Sequence, residues 1–398
     1  AFYGKETSPL IIGGIYGLAS KEFSPANVRE VLLNLESENP SDQFTVGIVD
    51  DVTFRSLSPL NETFDPTPEG TIGCKFWGLG SDGTVGANKS AVKIIGDHTD
   101  KFAQAYFAYD SKKSGGVTIS HLRFGDTKIR SSYQITRADF IACHNQAYVN
   151  QYDLLDGIKP KATFLLNCIW DQDRLEKELP ASLKRILAEK SVNFYTINAV
   201  DIAKGIGLGN RINMIMQAAF FKLTNVIPVD EAVEYLKKEV DKNYGRKGRK
   251  VVDMNCRAIE EGVDALVKIE VPDSWKAAVD DSDRTIEDLP HFVKNILVPM
   301  NRQKGDTLPV SAFNDREDGS YPTGTTKYEK RAISIYVADW NPDHCVQCNQ
   351  CAFICPHGVL RPMLLSDGQV DRAPQGIKTV NARGKGYEGN YFMGISSL

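Results

Sequence analysis

The sequence predicts an α/β fold: a mainly parallel, doubly wound sheet domain, followed by a helical and linking region. Short apolar segments alternate with amphipathic ones between residues 73 and 228, as in a parallel sheet covered by helices. A glycine-rich turn joins the first strand of this pattern to its first helix. Near the C-terminus four cysteines form one tight run, which indicates a smaller domain of another kind.

Size and composition limit the possible classes of function. The chain has 398 residues, enough for two to four domains, and a net charge of −4, with no basic excess to attract nucleic acid. No segment approaches the roughly 20 apolar residues of a membrane span, and no signal peptide opens the chain. We therefore expect a cytoplasmic protein with no nucleic-acid or membrane partner. The first residue is not methionine, so we also expect a portion of a longer protein.

The elements along the chain suggest five regions. Residues 1–56 are expected to end an α/β domain; they contain a helix over 25–35, capped by Ser24, and a strand over 44–49. Prolines and turn-forming residues in 57–72 indicate a linker. The sheet domain follows over 73–228, a helical and extended linking region over 229–330, and the cysteine domain over 331–398, which begins with a strand over 331–338.

Within the sheet domain, apolar runs predict the strands and amphipathic runs predict the helices. Gly96 is expected to end the first helix as a left-handed cap. The predicted strands are 74–77, 105–109, 117–119, 140–142, 163–166 and 193–197, and the predicted helices are 87–95, 179–189 and 212–223.

The glycine turn is the first candidate ligand site. It matches G-x-G-x-x-G between a strand and a helix, where backbone amides and the helix N-terminus favour a diphosphate. A tight turn without a ligand is the alternative. A Walker-type loop is excluded, because Asn88 precedes Lys89 where that motif requires glycine. The candidate residues are Gly78, Gly80, Asp82, Gly83, Thr84, Gly86 and Asn88.

Three further segments carry polar candidates. Ser111, Lys112 and Lys113 follow the second strand, and the two lysines favour a ribose that carries its own phosphate, as in NADP and coenzyme A. An exposed lysine pair without a ligand is the alternative. Asn145 is a candidate for hydrogen bonds to a ligand or for a helix cap. In the turn before the last helix, Asn210 is a candidate for hydrogen bonds to a ligand and Arg211 for phosphate.

The cysteine run has the C-x2-C-x2-C-x3-C-P spacing of bacterial iron–sulfur proteins. A zinc site more typically places two cysteine pairs a dozen or more residues apart. The spacing predicts [4Fe–4S] ligation by Cys345, Cys348 and Cys351, with Cys355 directed to a second cluster. The remaining four cysteines are scattered, and we expect them to be reduced core thiols. Residues 331–398 are thus expected to form an incomplete ferredoxin-like piece.

Five ordered motifs resemble the middle of the pyruvate:ferredoxin (flavodoxin) oxidoreductase family. They are residues 78–89, 109–116, 120–125, 211–217 and the cysteine run. By this resemblance, residues 1–56 correspond to the end of the family's second domain and 73–228 to its third, coenzyme A-associated domain. Residues 229–330 correspond to its linking fourth domain, and 331–398 to the first part of its ferredoxin domain.

The resemblance implies oxidative decarboxylation of pyruvate to acetyl-CoA and CO2 on thiamine diphosphate and Mg²⁺. Electrons would pass through [4Fe–4S] clusters to ferredoxin or flavodoxin, in a homodimer of the cytoplasm or of an anaerobic energy organelle. The glycine turn and Lys112 and Lys113 would hold coenzyme A. The thiamine modules and the second cysteine run are missing, so we expect no activity without the remaining domains. The alternatives are a non-catalytic coenzyme A-binding or electron-carrier module and an NADP-linked iron–sulfur reductase.

Overall fold

The computed structural model of the chain describes residues 9–16, 22–59, 64–110, 115–279, 289–329 and 333–395. These residues form two compact units, Ala1–Ser320 and Tyr321–Leu398. In the first unit, strands β1 (Gly14–Ile15) and β2 (Phe44–Thr45) make a small parallel pair, so the strand expected over 44–49 is shorter than predicted. Within the described ranges, no helix has both the length and the apolar character needed to cross a bilayer.

A seven-stranded sheet forms the centre of the first unit. Every strand predicted between residues 73 and 228 is present, and most are longer than predicted. The strands are β3 (Ile72–Leu79), β4 (Phe102–Tyr109), β5 (Val117–Gly125), β6 (Ala138–Cys143), β7 (Ile158–Asn167), β8 (Asn193–Ile197) and β9 (Val267–Ile269). Their order across the sheet is β4-β5-β3-β6-β7-β8-β9.

The α/β class is confirmed, although the sheet is mixed. Strands β3, β6, β7 and β8 pair in parallel, as expected. Strand β5 lies between β3 and β4 and is antiparallel to both. Residues 110–116, which connect β4 to β5, are too few for the crossover of a dozen or more residues that parallel neighbours need. This short connection explains the antiparallel edge of the sheet.

The helices of the first unit differ from the predictions at several points, and those over Gln172–Glu178 and Ala199–Ile206 were not predicted. Gly96 does not end its helix, which continues to His98 and is capped by Thr99. Pro180 divides the helix expected over 179–189, because the residue before a proline favours an extended backbone. The helices are α1 (Pro25–Glu36), α2 (Thr84–His98), α3 (Gln172–Glu178), α4 (Ala181–Glu189), α5 (Ala199–Ile206), α6 (Asn213–Thr224), α7 (Val229–Tyr244), α8 (Arg249–Asp264) and α9 (Val298–Asn301).

Helix α6 is the central helix of the unit, since its residues from Met214 to Phe221 are all buried. A helix that is apolar all round is expected in the core of a protein. Phe220 contacts two strand residues, Phe76 at 5.2 Å and Phe140 at 5.5 Å between ring centroids. Aromatic pairs at such distances contribute about 0.5–1.5 kcal/mol beyond their buried area. This cluster fixes α6 against β3 and β6.

The packed layers continue past residue 228, where the sequence suggested the end of the sheet domain. Helices α7 and α8 pack on α6, and β9 extends the sheet beside β8. Gly262 of α8 approaches α6 so closely that a Cβ there would lie 2.8 Å from the Ile215 carbonyl oxygen. The described residues between 270 and 329 contain short 3₁₀ turns, a π-helical turn over Val293–Leu297 and α9.

The second unit is built on an antiparallel three-stranded sheet. Strand β12 (Asn390–Ile395) lies between β10 (Leu360–Leu365) and β11 (Val380–Asn381), and two short helices, α10 (Gln350–Ile354) and α11 (Asp367–Val370), complete the unit. The strand predicted over 331–338 was wrong for residues 333–338, which form no strand. Residues 331 and 332 lie outside the described ranges.

We expect opposite effects from two glycine substitutions in the first unit. Gly157 has φ of +75°, and a Cβ there would lie 1.8 Å from the Thr136 carbonyl oxygen. Gly157→Ala should therefore lower the free energy of unfolding by about 2–3 kcal/mol. Gly96→Ala, in the exposed part of α2 with open space around it, should raise that free energy by about 0.5–1 kcal/mol. Urea unfolding measures the free energy of unfolding of both variants. A lower value in Gly96→Ala would contradict the placement of Gly96 inside α2.

Candidate functional site

The glycine turn between β3 and α2 is held by three hydrogen bonds. The Gly80 N–H donates to the Gly116 carbonyl oxygen at 2.8 Å, which ties the turn to the start of β5. The Asp82 carboxylate accepts the N–H of Leu79 at 2.8 Å and that of Thr84 at 2.7 Å. The turn is thus fixed both to the strand before it and to the helix after it.

Glycine is required at different positions of the turn for different structural reasons. A Cβ at Gly78 would lie 2.6 Å from the Thr84 side chain, and one at Gly80 would lie 3.2 Å from the Gly116 carbonyl oxygen. Gly83 has φ of +90°, which favours glycine. At Gly86, by contrast, no described atom lies within 4 Å of an added Cβ. The packing of the chain therefore explains the first three glycines and leaves Gly86 facing open space.

A cleft of about 340 Å³ opens above the turn, and we call it the loop cleft. It extends from the glycine turn to the end of β4 and the start of β5. Of the residues predicted to bind a ligand, Gly80, Asp82, Gly83 and Gly86 line it, whereas Thr84 lies buried beneath it. The lining residues are Leu79, Gly80, Ser81, Asp82, Gly83, Val85, Gly86, Tyr109, Asp110, Gly116, Val117 and Thr118.

The N-terminus of α2 gives the loop cleft its positive end. The first N–H groups of a helix lack partners inside it, and the helix dipole adds partial positive charge there. The Thr84 N–H is bonded to Asp82, while Val85 and Gly86 follow on the cleft wall. The first turn of α2 carries no acidic residue. Val85 and Gly86, whose amides have no partner within the helix, therefore lie on the cleft wall beside Asp82.

A buried polar pair supports the turn from below. The Thr84 hydroxyl lies 2.7 Å from His144 Nδ1, and both residues are buried. Burial lowers the pKa of His144, against a smaller opposing effect of the Asp82 charge, so the ring is neutral. The Tyr148 hydroxyl donates a hydrogen bond to the Gly78 carbonyl oxygen at 3.3 Å. Burial raises the pKa of Tyr148. These groups position the turn and do not face the cleft.

The remaining predicted ligand residues are dispersed. Asn145 caps a 3₁₀ turn, since its side chain accepts the Ala147 N–H at 3.0 Å. Asn88 is buried in α2, and its Nδ2 has no partner among the described residues. Asn210 and Arg211 are exposed between α5 and α6, and neither lines the loop cleft. Ser111, Lys112 and Lys113 lie outside the described residues.

A second cleft, of about 350 Å³, was not anticipated from the sequence. Gly83 and Gly86 line it as well as the loop cleft, and its other walls come from α2, α6 and α7. We call it the helical cleft. Asn213 and Gln217, one turn apart on α6, both line it. Two carboxamides at an i, i+4 spacing in the otherwise apolar segment 213–221 were the available signal.

His121 and Arg123 are structural residues of β5. His121 is buried, its Nδ1 accepts the Ile135 N–H at 3.1 Å, and burial lowers its pKa to about 3. The Arg123 guanidinium lies over the Tyr133 ring at 4.9 Å and donates to Gln104 Oε1 at 3.2 Å. Both side chains therefore have partners within the protein, and neither lines the loop cleft.

The four clustered cysteines lie in the second unit as free thiols, and they differ in surroundings. Cys348 and Cys351 are exposed, and Cys345 and Cys355 are half-buried. Backbone N–H groups of residues 357–360 donate to Cys355 and lower the pKa of its thiol. Thiol ligands fit iron, although no three histidine, cysteine or acidic side chains of the described chain converge in a metal-binding arrangement.

Tyr391 of β12 is affected electrostatically by the other three cysteines. Its pKa is raised by burial first and then by the neighbouring charges of Cys345, Cys351 and Cys348. Its hydroxyl donates to Asn349 Oδ1 at 2.7 Å, within the cysteine run. The charges of three thiols thus act on one tyrosine, while Cys355 has a backbone environment of its own.

Three family models match the chain. The model described as pyruvate ferredoxin/flavodoxin oxidoreductase matches residues 73–265, one described as a domain of unknown function matches 280–334, and a 4Fe-4S binding domain matches 338–361. All four clustered cysteines lie within the last range. The third match supports 4Fe–4S binding by the second unit.

Curated relatives match nearly the whole chain. The pyruvate-flavodoxin oxidoreductase of Enterobacter agglomerans is 56% identical over 384 residues, 96% of this chain and 33% of that protein. The pyruvate:ferredoxin oxidoreductase of Moorella thermoacetica is 54% identical over 376 residues, 94% of this chain and 32% of that protein. The chain thus spans about one third of the length of these relatives. The crystal structure of pyruvate oxidoreductase subunit PORC from Thermotoga maritima covers 51% of this chain and 100% of that one, at 18% identity and a TM-score of 0.42.

The burial of His121 predicts a loss of stability in mild acid. Its pKa is about 3 in the folded chain and about 6.5 in an unfolded one. Between these values the unfolded chain binds the additional proton, so the free energy of unfolding falls by about 1.4 kcal/mol for each pH unit below 6.5. His121→Gln, whose amide oxygen can accept the Ile135 N–H, should flatten this slope by one proton.

Urea unfolding between pH 7.5 and 5 measures the slope. Gln172→Ala, at an exposed position on α3, is the control and should leave the slope as in the wild type. An unchanged slope in His121→Gln would contradict the neutral state of this ring.

Proposed function

The chain belongs to the pyruvate ferredoxin/flavodoxin oxidoreductase family, and from that premise we propose that its loop cleft binds coenzyme A. The complete enzyme oxidatively decarboxylates pyruvate to acetyl-CoA and CO2 and passes electrons through [4Fe–4S] clusters to ferredoxin or flavodoxin. This chain supplies the coenzyme A site and part of the electron-transfer domain. The observation that carries the proposal is the open space at Gly86, beside the N-terminus of α2.

The diphosphate of coenzyme A fits this end of the cleft. Backbone N–H groups at a helix N-terminus bind phosphate through hydrogen bonds and the helix dipole. Val85 and Gly86 line the cleft, and the open space at Gly86 would let a phosphate approach the backbone. The Asp82 carboxylate, which lines the same end of the cleft, accepts the N–H groups of Leu79 and Thr84.

The other end of the cleft fits a phosphorylated ribose. Asp110 lines the cleft where β4 ends, and Ser111, Lys112 and Lys113 follow it in the chain. The two lysines bring the positive charge that a ribose phosphate requires. Coenzyme A combines a diphosphate with such a ribose.

The strand order disfavours the NADP-linked alternative. In the dinucleotide-binding fold, the strand after the first helix lies beside the glycine-turn strand. Here β5 separates β4 from β3 and runs antiparallel to both. The glycine turn therefore lies outside the arrangement in which nicotinamide dinucleotides bind, and this favours coenzyme A.

The iron–sulfur part of the proposal assigns Cys345, Cys348 and Cys351 to one [4Fe–4S] cluster and Cys355 to a neighbouring one. The electrostatic effect of three thiols on Tyr391 and the separate backbone environment of Cys355 agree with this division. When bound, the clusters supply one-electron transfer. Thiamine diphosphate and Mg²⁺ bind to the remaining domains of the same enzyme, which we propose to be a homodimer.

Gly86→Ala separates ligand binding from folding. The methyl group meets no described atom within 4 Å, so the free energy of unfolding should stay level or rise. It projects near the anion-binding amides, so the dissociation constant of coenzyme A should rise at least about 10-fold. Gly96→Ala, on the same helix but outside the cleft, is the control. Titration calorimetry measures both variants, and wild-type affinity in Gly86→Ala would remove the diphosphate from this position.

Iron analysis tests the cysteine assignment. Anaerobic reconstitution of the whole chain should give at most one cluster, about four iron atoms. Cys348→Ser should retain far less iron and lose the visible absorption of the cluster. Cys256→Ser, at a half-buried cysteine outside the run, is the control and should match the wild type. Full iron content in Cys348→Ser would be incompatible with the assignment.

A further inference from the structure

The cysteine run contains two residues in the left-handed backbone conformation. Gln347 has φ of +58° and Asn349 has φ of +60°, and they flank Cys348 on its two sides. This conformation strains residues other than glycine, and glutamine adopts it less readily than asparagine. Backbone strain of this kind persists only where the surrounding structure holds it, and it is concentrated at functional sites. The contacts of these two residues therefore indicate what holds the run.

The Gln347 side chain attaches the cysteine run to β11 through two hydrogen bonds. Its Nε2 donates to the Asn381 carbonyl oxygen at 2.8 Å, and its Oε1 accepts the Arg383 N–H at 2.7 Å. Both distances are those of well-formed N–H···O bonds. Asn381 is the last residue of β11. The carboxamide uses its donor and its acceptor at once, so it fixes the orientation of Gln347 as well as its position.

Asn349 is attached to the same sheet by a single hydrogen bond. The hydroxyl of Tyr391, a buried residue of β12, donates to Asn349 Oδ1 at 2.7 Å. Asn349 directly precedes α10, and its carbonyl oxygen accepts the Phe353 N–H at 3.0 Å. Tyr391 therefore fixes the point at which the chain enters the helix that carries Cys351.

The backbone held by the Gln347 side chain contacts a thiol. The Gln347 N–H donates to Cys345 Sγ at 3.4 Å. Hydrogen bonds to cysteine sulfurs help to set the reduction potential of an iron–sulfur cluster. Such a bond stabilises the reduced cluster more than the oxidised one, because the reduced cluster carries more negative charge. The attachment of Gln347 to β11 therefore bears on the cluster as well as on the fold.

We propose that Gln347 and Asn349 are positioning residues of the iron–sulfur site, whose side chains hold the backbone of the cysteine run on the three-stranded sheet before iron enters. Among the described residues the thiols do not converge in a metal-binding arrangement. Iron binding then reorients the cysteine side chains on a backbone that stays fixed. The inference rests on the proposed cluster at Cys345, Cys348 and Cys351.

Hydrogen exchange of the iron-free chain tests the attachment without the cluster. Gln347→Met keeps the length of the side chain and loses both carboxamide bonds, and Tyr391→Phe loses only one hydroxyl. The amides of residues 347 and 353 donate to Cys345 Sγ and to the Asn349 carbonyl oxygen, so they report on the backbone of the run. The amide of residue 347 in Gln347→Met and that of Phe353 in Tyr391→Phe should each exchange at least about 5-fold faster than in the wild type.

Two matched variants control for the change of side chain. Gln350→Met is at an exposed position of the same run, and Tyr387→Phe is at an exposed tyrosine before β12. Both should exchange at the wild-type rate.

Iron release and reduction potential test the positioning role. After anaerobic reconstitution of the whole chain, Gln347→Met should lose iron to a chelator at least about 10-fold faster than the wild type. Its reduction potential, measured by an EPR-monitored titration, should be more negative, because the N–H donor to Cys345 is no longer held in place. Gln350→Met should match the wild type in both measurements.

Two substitutions of Asn349 separate its side chain from its backbone conformation. Asn349→Gly keeps the left-handed conformation and loses the acceptor for Tyr391, so it should release iron as fast as Tyr391→Phe. Asn349→Asp keeps the acceptor and tolerates the same conformation, so its iron release should stay within about twofold of the wild type.

The outcomes separate this inference from the proposed function. Wild-type exchange in both Gln347→Met and Tyr391→Phe would overturn the inference, as would faster exchange with unchanged iron release and potential. The cysteine assignment would stand in both cases if Cys348→Ser loses its iron. Failure of the wild type to bind iron would overturn both. Should Gln347→Met not fold, Tyr391→Phe decides by the same exchange and iron-release measurements.

Discussion

The Asp82 carboxylate makes the contact on which the rest of the site depends. By accepting the N–H groups of Leu79 and Thr84, it joins the end of β3 to the start of α2. Hydrogen bonds to a charged acceptor contribute about 1.5–3 kcal/mol. The Gly80 to Gly116 hydrogen bond adds a tie to β5. Together they hold the N-terminus of α2 in one place, between two clefts.

The second wall of the site depends on the burial of α6. The Phe76, Phe140 and Phe220 cluster fixes this helix against the sheet, and the close approach at Gly262 brings α8 onto it. Helix α6 therefore holds the Gln217 side chain in a rigid, fully packed position beside the helical cleft. A polar side chain so placed costs stability unless a ligand or water completes its hydrogen bonds. Such a cost at a packed position is typical of functional sites.

The sequence predicted local features better than long-range ones. The strands of the sheet and the helix α1 with its Ser24 cap follow from apolar periodicity and capping residues. The strand order does not, because pairing of β5 with both β3 and β4 is a property of the assembled sheet. Strand β9 was missed since it has only three residues, two of them exposed. Gly96 was misassigned because a glycine near a helix end need not be its cap.

In the candidate site too, the local motifs were predictable from the sequence and the long-range contacts were not. The glycine turn and the cysteine spacing are local motifs, and the loop cleft lies where the turn indicated. The carboxamide pair of α6 is a local signal, but the helical cleft itself depends on the tertiary contact of α2, α6 and α7.

Amide hydrogen exchange with and without coenzyme A is the most direct measurement of the central claim, that a diphosphate docks on the N-terminus of α2. The account predicts that saturating coenzyme A slows exchange of the Val85 and Gly86 amides and of the neighbouring turn, while NADPH at the same concentration does not. Coenzyme A binding that leaves exchange of these amides unchanged would contradict it.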